Sequence, residues 1–160
     1  DLDGKQLAGA RKRTSEAMTH LGIMKRQPAA KACVHAHPPH ATAFAIANVD
    51  IPYCLIPEAE VFLGKIGVAK YQTPGTPANA DEVGEVGKIH QAVLMQNHGP
   101  FTIGATAKDA VKAAIMCEDA ARAVHLARQG GELVPIPQDR IDSLYNRYQN
   151  VYGQKSDDRR

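Results

Sequence analysis

Residues 32–43 read Ala32-Cys33-Val34-His35-Ala36-His37-Pro38-Pro39-His40-Ala41-Thr42-Ala43. The first five form a short apolar run that reads as a buried strand, and Pro38-Pro39 ends it. Proline is well placed at a helix start, so a helix is expected from Pro38 to Asn48. In a strand, side chains at i and i+2 project from the same face, so His35 and His37 can both reach one ion. Neutral imidazole is a good zinc ligand, and three protein ligands with one open position is the layout of a catalytic zinc site. The best third ligand is His98. It ends a second strand, expected over Ala92-Val93-Leu94-Met95-Gln96, just before Gly99. A glycine there gives the backbone room to turn and the metal room for a substrate.

Working outward, a first helix should start at Thr14 or Ser15, either of which can cap free backbone N–H groups. It carries Ala17, Leu21 and Met24 at helical spacing and stops before Pro28. Downstream, Ile66 to Tyr71 is expected as a strand, Pro74-Gly75-Thr76-Pro77 as a loop and Glu82 to His90 as a helix. Gly99 should separate the Ala92–Gln96 strand from another over Phe101-Thr102-Ile103. A long helix is expected from Ala107 to Gln129, with Ala110, Ala114, Cys117, Ala121 and Val124 along one side and Gly130-Gly131 as its stop. A final helix should run from Gln138 to Tyr152, just after Pro137. Strands alternating with helices indicate a layered α/β domain.

The chain has 160 residues, 44% hydrophobic and 22% charged, which fits one domain with a real core. That domain is expected over 1–152, with 153–160 as a polar tail. Nineteen basic against 17 acidic residues give a net charge of +2, too even for a nucleic-acid binder, and no basic stripe with interleaved aromatics occurs. No apolar run approaches the ~18 residues of a membrane helix. Cys33, Cys54 and Cys117 are odd in number and lie in apolar stretches, which reads as reduced thiols in a cytoplasmic protein. Asp1-Leu2-Asp3-Gly4 reads as a strand end running into a hairpin turn, so an N-terminal portion of the natural protein is expected to be missing.

A metal site also needs an acid or base. Glu16, in Thr14-Ser15-Glu16, lies at a helix start, where a glutamate commonly just complements the helix dipole. Glu58, Glu60 and Glu118 compete for the role on composition. His20 and His125 fall within helices and His90 near a helix end, where packed or solvated imidazoles are the expectation. His40 reads equally as a neighbour of the site and as plain helix surface.

The motifs taken together resemble the class II aldolase/adducin family. The matching residues are Thr14-Ser15-Glu16, His35-Ala36-His37-Pro38-Pro39 with Ala41-Thr42-Ala43, and Asn97-His98-Gly99. Weaker echoes are Ile56-Pro57-Glu58 with Leu63-Gly64, and Tyr71 followed by Pro74-Gly75-Thr76. Glu16 precedes His35 by 19 positions and His98 follows His37 by 61, and both separations suit the aldolase branch. The likeness runs from about Asp3 to about Gln129, and several motifs in order are far more specific than any one of them.

The resemblance implies a three-layer α/β/α sandwich around a central, largely antiparallel sheet, assembled as a homotetramer with sites at subunit interfaces. It implies that His35, His37 and His98 hold one zinc per subunit and that Glu16 is the catalytic acid/base. Thr14 and Ser15 match the hydroxyl pair that helps bind a substrate phosphate. The implied reaction is aldol cleavage of a ketose phosphate, L-fuculose 1-phosphate-like, through a metal-stabilised enediolate. L-ribulose-5-phosphate 4-epimerases resemble the chain closely but tend to carry aspartate in place of Glu16, and sugar-acid phosphate decarboxylation occurs on the same scaffold. A non-catalytic, adducin-like assembly module is the alternative of another kind, and such heads lack the intact histidine set. The fuculose-phosphate aldolases bring a tyrosine from the neighbouring subunit. Ile56 stands at that position here, with Tyr53, Tyr145, Tyr148 and Tyr152 as possible substitutes.

Overall fold

The computed structural model describes residues 1–150. Its frame is a four-stranded sheet in the order β1-β4-β3-β2, made of β1 (Ala32–His35), β2 (Gly67–Ala69), β3 (Ala92–Met95) and β4 (Gly99–Gly104). β1 pairs antiparallel with β4, β4 antiparallel with β3, and β3 parallel with β2. The sheet is therefore largely antiparallel. Every residue of β3 is buried, as a strand covered on both faces requires.

Alternation along β3 supplies two cores. Ala92 and Leu94 face one way, onto α2 (Pro39–Ala47), α3 (Pro57–Phe62) and α5 (Ala107–Gly130), through Phe44, Leu63, Cys117 and Val124. Val93 and Met95 face the other way, onto α1 (Ala17–Arg26) and α4 (Pro77–Gly87), through Ile23 and Val83. The result is the expected α/β/α layering. α6 (Gln138–Asn150) lies against α3.

The α1–α4 contact is unusually close. A Cβ on Gly22 would stand 2.5 Å from the Ala80 carbonyl oxygen, and one on Gly84 would stand 2.9 Å from the Gly22 carbonyl oxygen. Only hydrogen at these positions lets the two helix backbones meet.

Several boundaries differ from the sequence reading. α4 starts at Pro77, five residues before Glu82, because Thr76 caps it by accepting the Asn79 N–H and proline suits the first turn. α3 was not expected at all. It is a helix of 6 residues opened by Pro57, too short to show a periodicity. Gly99 does not break a strand but begins β4, and the break is the loop Gln96–His98. α1 begins at Ala17, later than expected: Glu16 occupies the N-cap in place of Thr14 or Ser15, and the Thr14 hydroxyl accepts only the Glu16 N–H, at 3.3 Å. The first four residues form a turn closed by Gly4 N–H to Asp1 oxygen, 3.1 Å, with no strand around it among the described residues. The expected Gln138–Tyr152 helix is present to Asn150, and its last two residues, like the polar tail, lie outside the described residues. The three cysteines are free. Among the described residues, no helix is long and apolar enough to cross a membrane.

Candidate metal centre and active site

The structure brings His35, His37 and His98 together, with one ligand nitrogen from each lying within 4.8 Å of the others. Pairing of β1 with β4 sets His35 opposite Phe101, and its ring stacks on Phe101 with centroids 4.4 Å apart and planes 14° from parallel. His35 Nδ1 lies 3.1 Å from the Pro100 carbonyl oxygen. A carbonyl can only accept, so Nδ1 carries the hydrogen and Nε2 keeps its lone pair. That lone pair points at His37 Nε2, 3.0 Å away.

His98 arrives from the β3–β4 hairpin. Its loop is tied down at three points: Gln96 N–H to Ala69 oxygen, Asn97 N–H to Ala45 oxygen and His98 N–H to Met95 oxygen, each 3.0 Å. Asn97 takes the left-handed conformation, φ 59°, that a tight hairpin demands. A Cβ on Gly99 would stand 2.6 Å from the Ala36 carbonyl oxygen and 2.9 Å from His37 Cδ2. The glycine thus lets the segment carrying His37 press against the hairpin carrying His98.

The donor set fits zinc. Three imidazoles converge, one with its tautomer fixed by a backbone carbonyl, which is the usual way a ligating histidine is oriented. Burial holds the His35 pKa down to about 4, more than the Pro100 hydrogen bond and the Glu16 charge raise it. His98 is lowered too, by burial and then by His37. Burial thus favours the neutral form of both, the form in which an imidazole ligates. His35 and His98 are half-buried while His37 is exposed, so one side is open to a small molecule.

Glu16 is 6% exposed, and its charge raises the pKa of both His35 and His98. Its Oε2 accepts from Thr19 Oγ1 at 3.0 Å and from Asn79 Nδ2 at 3.3 Å. Thr14 and Ser15 are exposed immediately before α1. His20, in α1, packs edge-on against Phe101 at 4.9 Å, and burial lowers its pKa.

The other candidates go elsewhere. Glu118 of α5 accepts the His40 and Ala41 N–H groups, at 3.1 and 2.9 Å, and contacts His40 Nδ1 at 2.7 Å. It caps α2, and His40 is its partner. Glu60 is buried in α3, accepting the Cys54 N–H at 2.7 Å, and burial raises its pKa. Glu58 is exposed on α3. His90 contacts the Lys65 carbonyl, and His125 contacts Gln129 on α5. Tyr148 packs edge-on against Phe62, Tyr145 is exposed on α6, and Tyr152 lies outside the described residues. Cys33, next but one to His35, is half-buried and packs against the core, and burial pushes its thiol up to about 11.

Phe101, Thr19 and Asn79 were missed by sequence reasoning. Phe101 could have been found as the residue three after His98 on the returning strand. Reading Thr76-Pro77 as a cap and first helical residue would have put Asn79 in a first turn.

Residues 1–125 match the family model described as Class II Aldolase and Adducin N-terminal domain. The L-ribulose-5-phosphate 4-epimerase UlaF of Salmonella paratyphi B is 33% identical over 139 residues, covering 80% of this chain and 61% of that protein. The chain thus spans 61% of the length of the curated relatives it matches. Among solved structures, an L-fuculose 1-phosphate aldolase superposes with a TM-score of 0.86 at 26% identity, covering 93% of this chain and 70% of that one. YgbL of Escherichia coli superposes with a TM-score of 0.80 at 25% identity, covering 90% and 70%. A family match running over most of the chain, with that superposition behind it, decides the relationship: the chain belongs to the class II aldolase and adducin family.

Proposed function

We propose that the chain carries the site of a zinc-dependent aldolase that cleaves a ketose phosphate of the L-fuculose 1-phosphate kind. The observation that carries this reading is the convergence of three imidazole nitrogens within 4.8 Å, with the buried carboxylate of Glu16 in electrostatic reach of His35 and His98. His35, His37 and His98 would hold a zinc ion, which would supply Lewis-acid polarisation of a substrate carbonyl. Glu16 takes or returns the proton at the carbon next to that carbonyl, and its burial keeps bulk water from competing. Thr14 and Ser15 offer hydroxyls at the start of α1, where the positive end of the helix favours a phosphate. The enzyme works as a cytoplasmic homotetramer.

L-ribulose-5-phosphate 4-epimerisation is the second reading, favoured by the 33% identity to UlaF over 139 residues. Glu16, where the epimerases tend to have aspartate, favours cleavage. Metal analysis of the purified protein, with parallel assays on L-fuculose 1-phosphate and L-ribulose 5-phosphate, tests both. One zinc per chain with cleavage is expected. Epimerisation without cleavage would establish the second reading, and a protein that takes up no zinc would overturn both.

A further inference from the structure

Behind Glu16 lies a buried polar network that the histidine site does not itself require. Thr19 is 0% exposed and Asn79 is 2% exposed, in the α1–α4 contact. The Thr19 hydroxyl has one hydrogen, and it points at Glu16 Oε2 from 3.0 Å. Its oxygen is then left to accept, and Asn79 Nδ2 donates to it at 2.9 Å while also reaching Oε2 at 3.3 Å. The three groups close into a triangle with one polarity, in which the amide NH2 of Asn79 faces the carboxylate. Oε1 of Glu16 is different. It accepts no hydrogen bond from the described residues, and it is not among the buried polar atoms sealed without a partner.

We propose that Thr19 and Asn79 are positioning residues that pin Glu16 Oε2, so that the carboxylate exchanges its proton through Oε1 alone. A proton on Oε2 would collide with two donors already aimed at it, whereas Oε1 has its lone pairs free. The backbone arrangement serves this placement. Asn79 has a short side chain, and it reaches Glu16 only because Gly22 and Gly84 let α4 approach α1 so closely. Two apolar side chains could fill the same volume without any desolvation cost, so helix packing alone gives no reason for this pair.

This inference rests on Glu16 being the acid/base, and the experiment separates the two. Thr19→Val removes the donor at nearly constant shape, Thr19→Ser keeps it, and Asn79→Leu removes the second donor. Zinc-loaded Thr19→Val should lose about 10-fold in kcat on whichever sugar phosphate turns over, with KM changed less than about 3-fold. Thr19→Ser should recover to within about 3-fold of the parent. In a Glu16→Gln background, Thr19→Val should cost no further turnover, because its effect runs through the missing carboxylate. A crystal structure of Thr19→Val should show the Glu16 side chain in more than one rotamer. If kcat per folded, zinc-loaded chain is unchanged in Thr19→Val, or falls equally in both backgrounds, the positioning role is overturned. Should Asn79→Leu fail to fold, the Thr19 pair decides the matter alone. Full turnover in Glu16→Gln would bring down the acid/base reading and this one with it. Loss there, with Thr19→Val unaffected, would bring down only this one.

Discussion

His98 reaches the metal centre from a loop of three residues, and its side chain is half-exposed, so removing it disturbs little packing. His98→Ala should therefore keep its fold and thermal transition yet lose most bound zinc, because two imidazoles remain where a catalytic site uses three ligands. Zinc retained in full would take His98 out of the site. Glu16→Gln should keep zinc and substrate binding while cutting turnover by about 10²-fold or more. Were Glu16 only a helix-dipole partner, the variant would instead lose a few tenths of a kcal/mol of stability and remain active. Steady-state kinetics beside a thermal melt tells these apart. The histidines were legible in the sequence for local reasons, spacing for His35 and His37 and a glycine-marked turn for His98, although β1 ends at His35 and His37 lies in the segment beyond it, not in the expected strand. The residues that hold Glu16 were not. Thr19 and Asn79 are far apart in sequence, and nothing near either shows that two glycines will bring their helices into contact.

α2 illustrates how one element is held by another. Its N-cap is Pro38, with no side-chain capping bond of its own, and the capping carboxylate comes from Glu118 on α5. Burial alone would push the Glu118 carboxyl up, but the Ala41 N–H and the His40 side chain and N–H together hold it below the usual carboxylate range. A carboxyl with a lowered folded-state pKa adds stability above its unfolded value and loses it as pH falls through the folded one. Glu118→Gln should thus cost about 1–2 kcal/mol at neutral pH, the scale of a lost cap and its hydrogen bonds. Melts of parent and variant should converge as pH drops below the ordinary carboxylate range, and a gap independent of pH would refute the ionic cap. His40 and His125, whose rings lie 5.9 Å apart beside this cap, are the other groups to follow. At this scale the long α5 and the buried strands were legible, since apolar periodicity and β-branched runs announce them. The short α3 has too few residues for a period, and α4 began earlier than expected because its cap lay inside a Pro/Gly cluster that reads as loop.

Over the whole molecule, the surface carries apolar side chains that a single copy leaves bare. Ile46 and Val49 project at and beyond the end of α2, and Val111 and Ile115 on α5, at 59%, 40%, 47% and 57% exposure. Beside Ile115 is a cavity of about 300 Å³ lined by Val34, Ala36, Pro100 and Ala114. Covering such a surface accords with the proposed tetramer, and light scattering on the purified protein should find four copies per particle. A fully active monomer would rule the assembly out. The layered fold itself was legible, because strands alternating with helices leave few other ways to bury both faces of a sheet. The pairing of β1 with β4 has a kinetic consequence. Ala32 stands opposite Gly104, so the strands that bring His35 to His98 meet only after a long loop has closed. An unfolded chain offers zinc the local run Cys33, His35, His37 and His40, but does not hold His98 beside it. A zinc ion would therefore prefer the molecule whose sheet has closed, by the ligand that His98 adds. Bound there, it would act as a latch, lengthening the lifetime of the native state by as much as the closed sheet holds it more tightly than the open chain does.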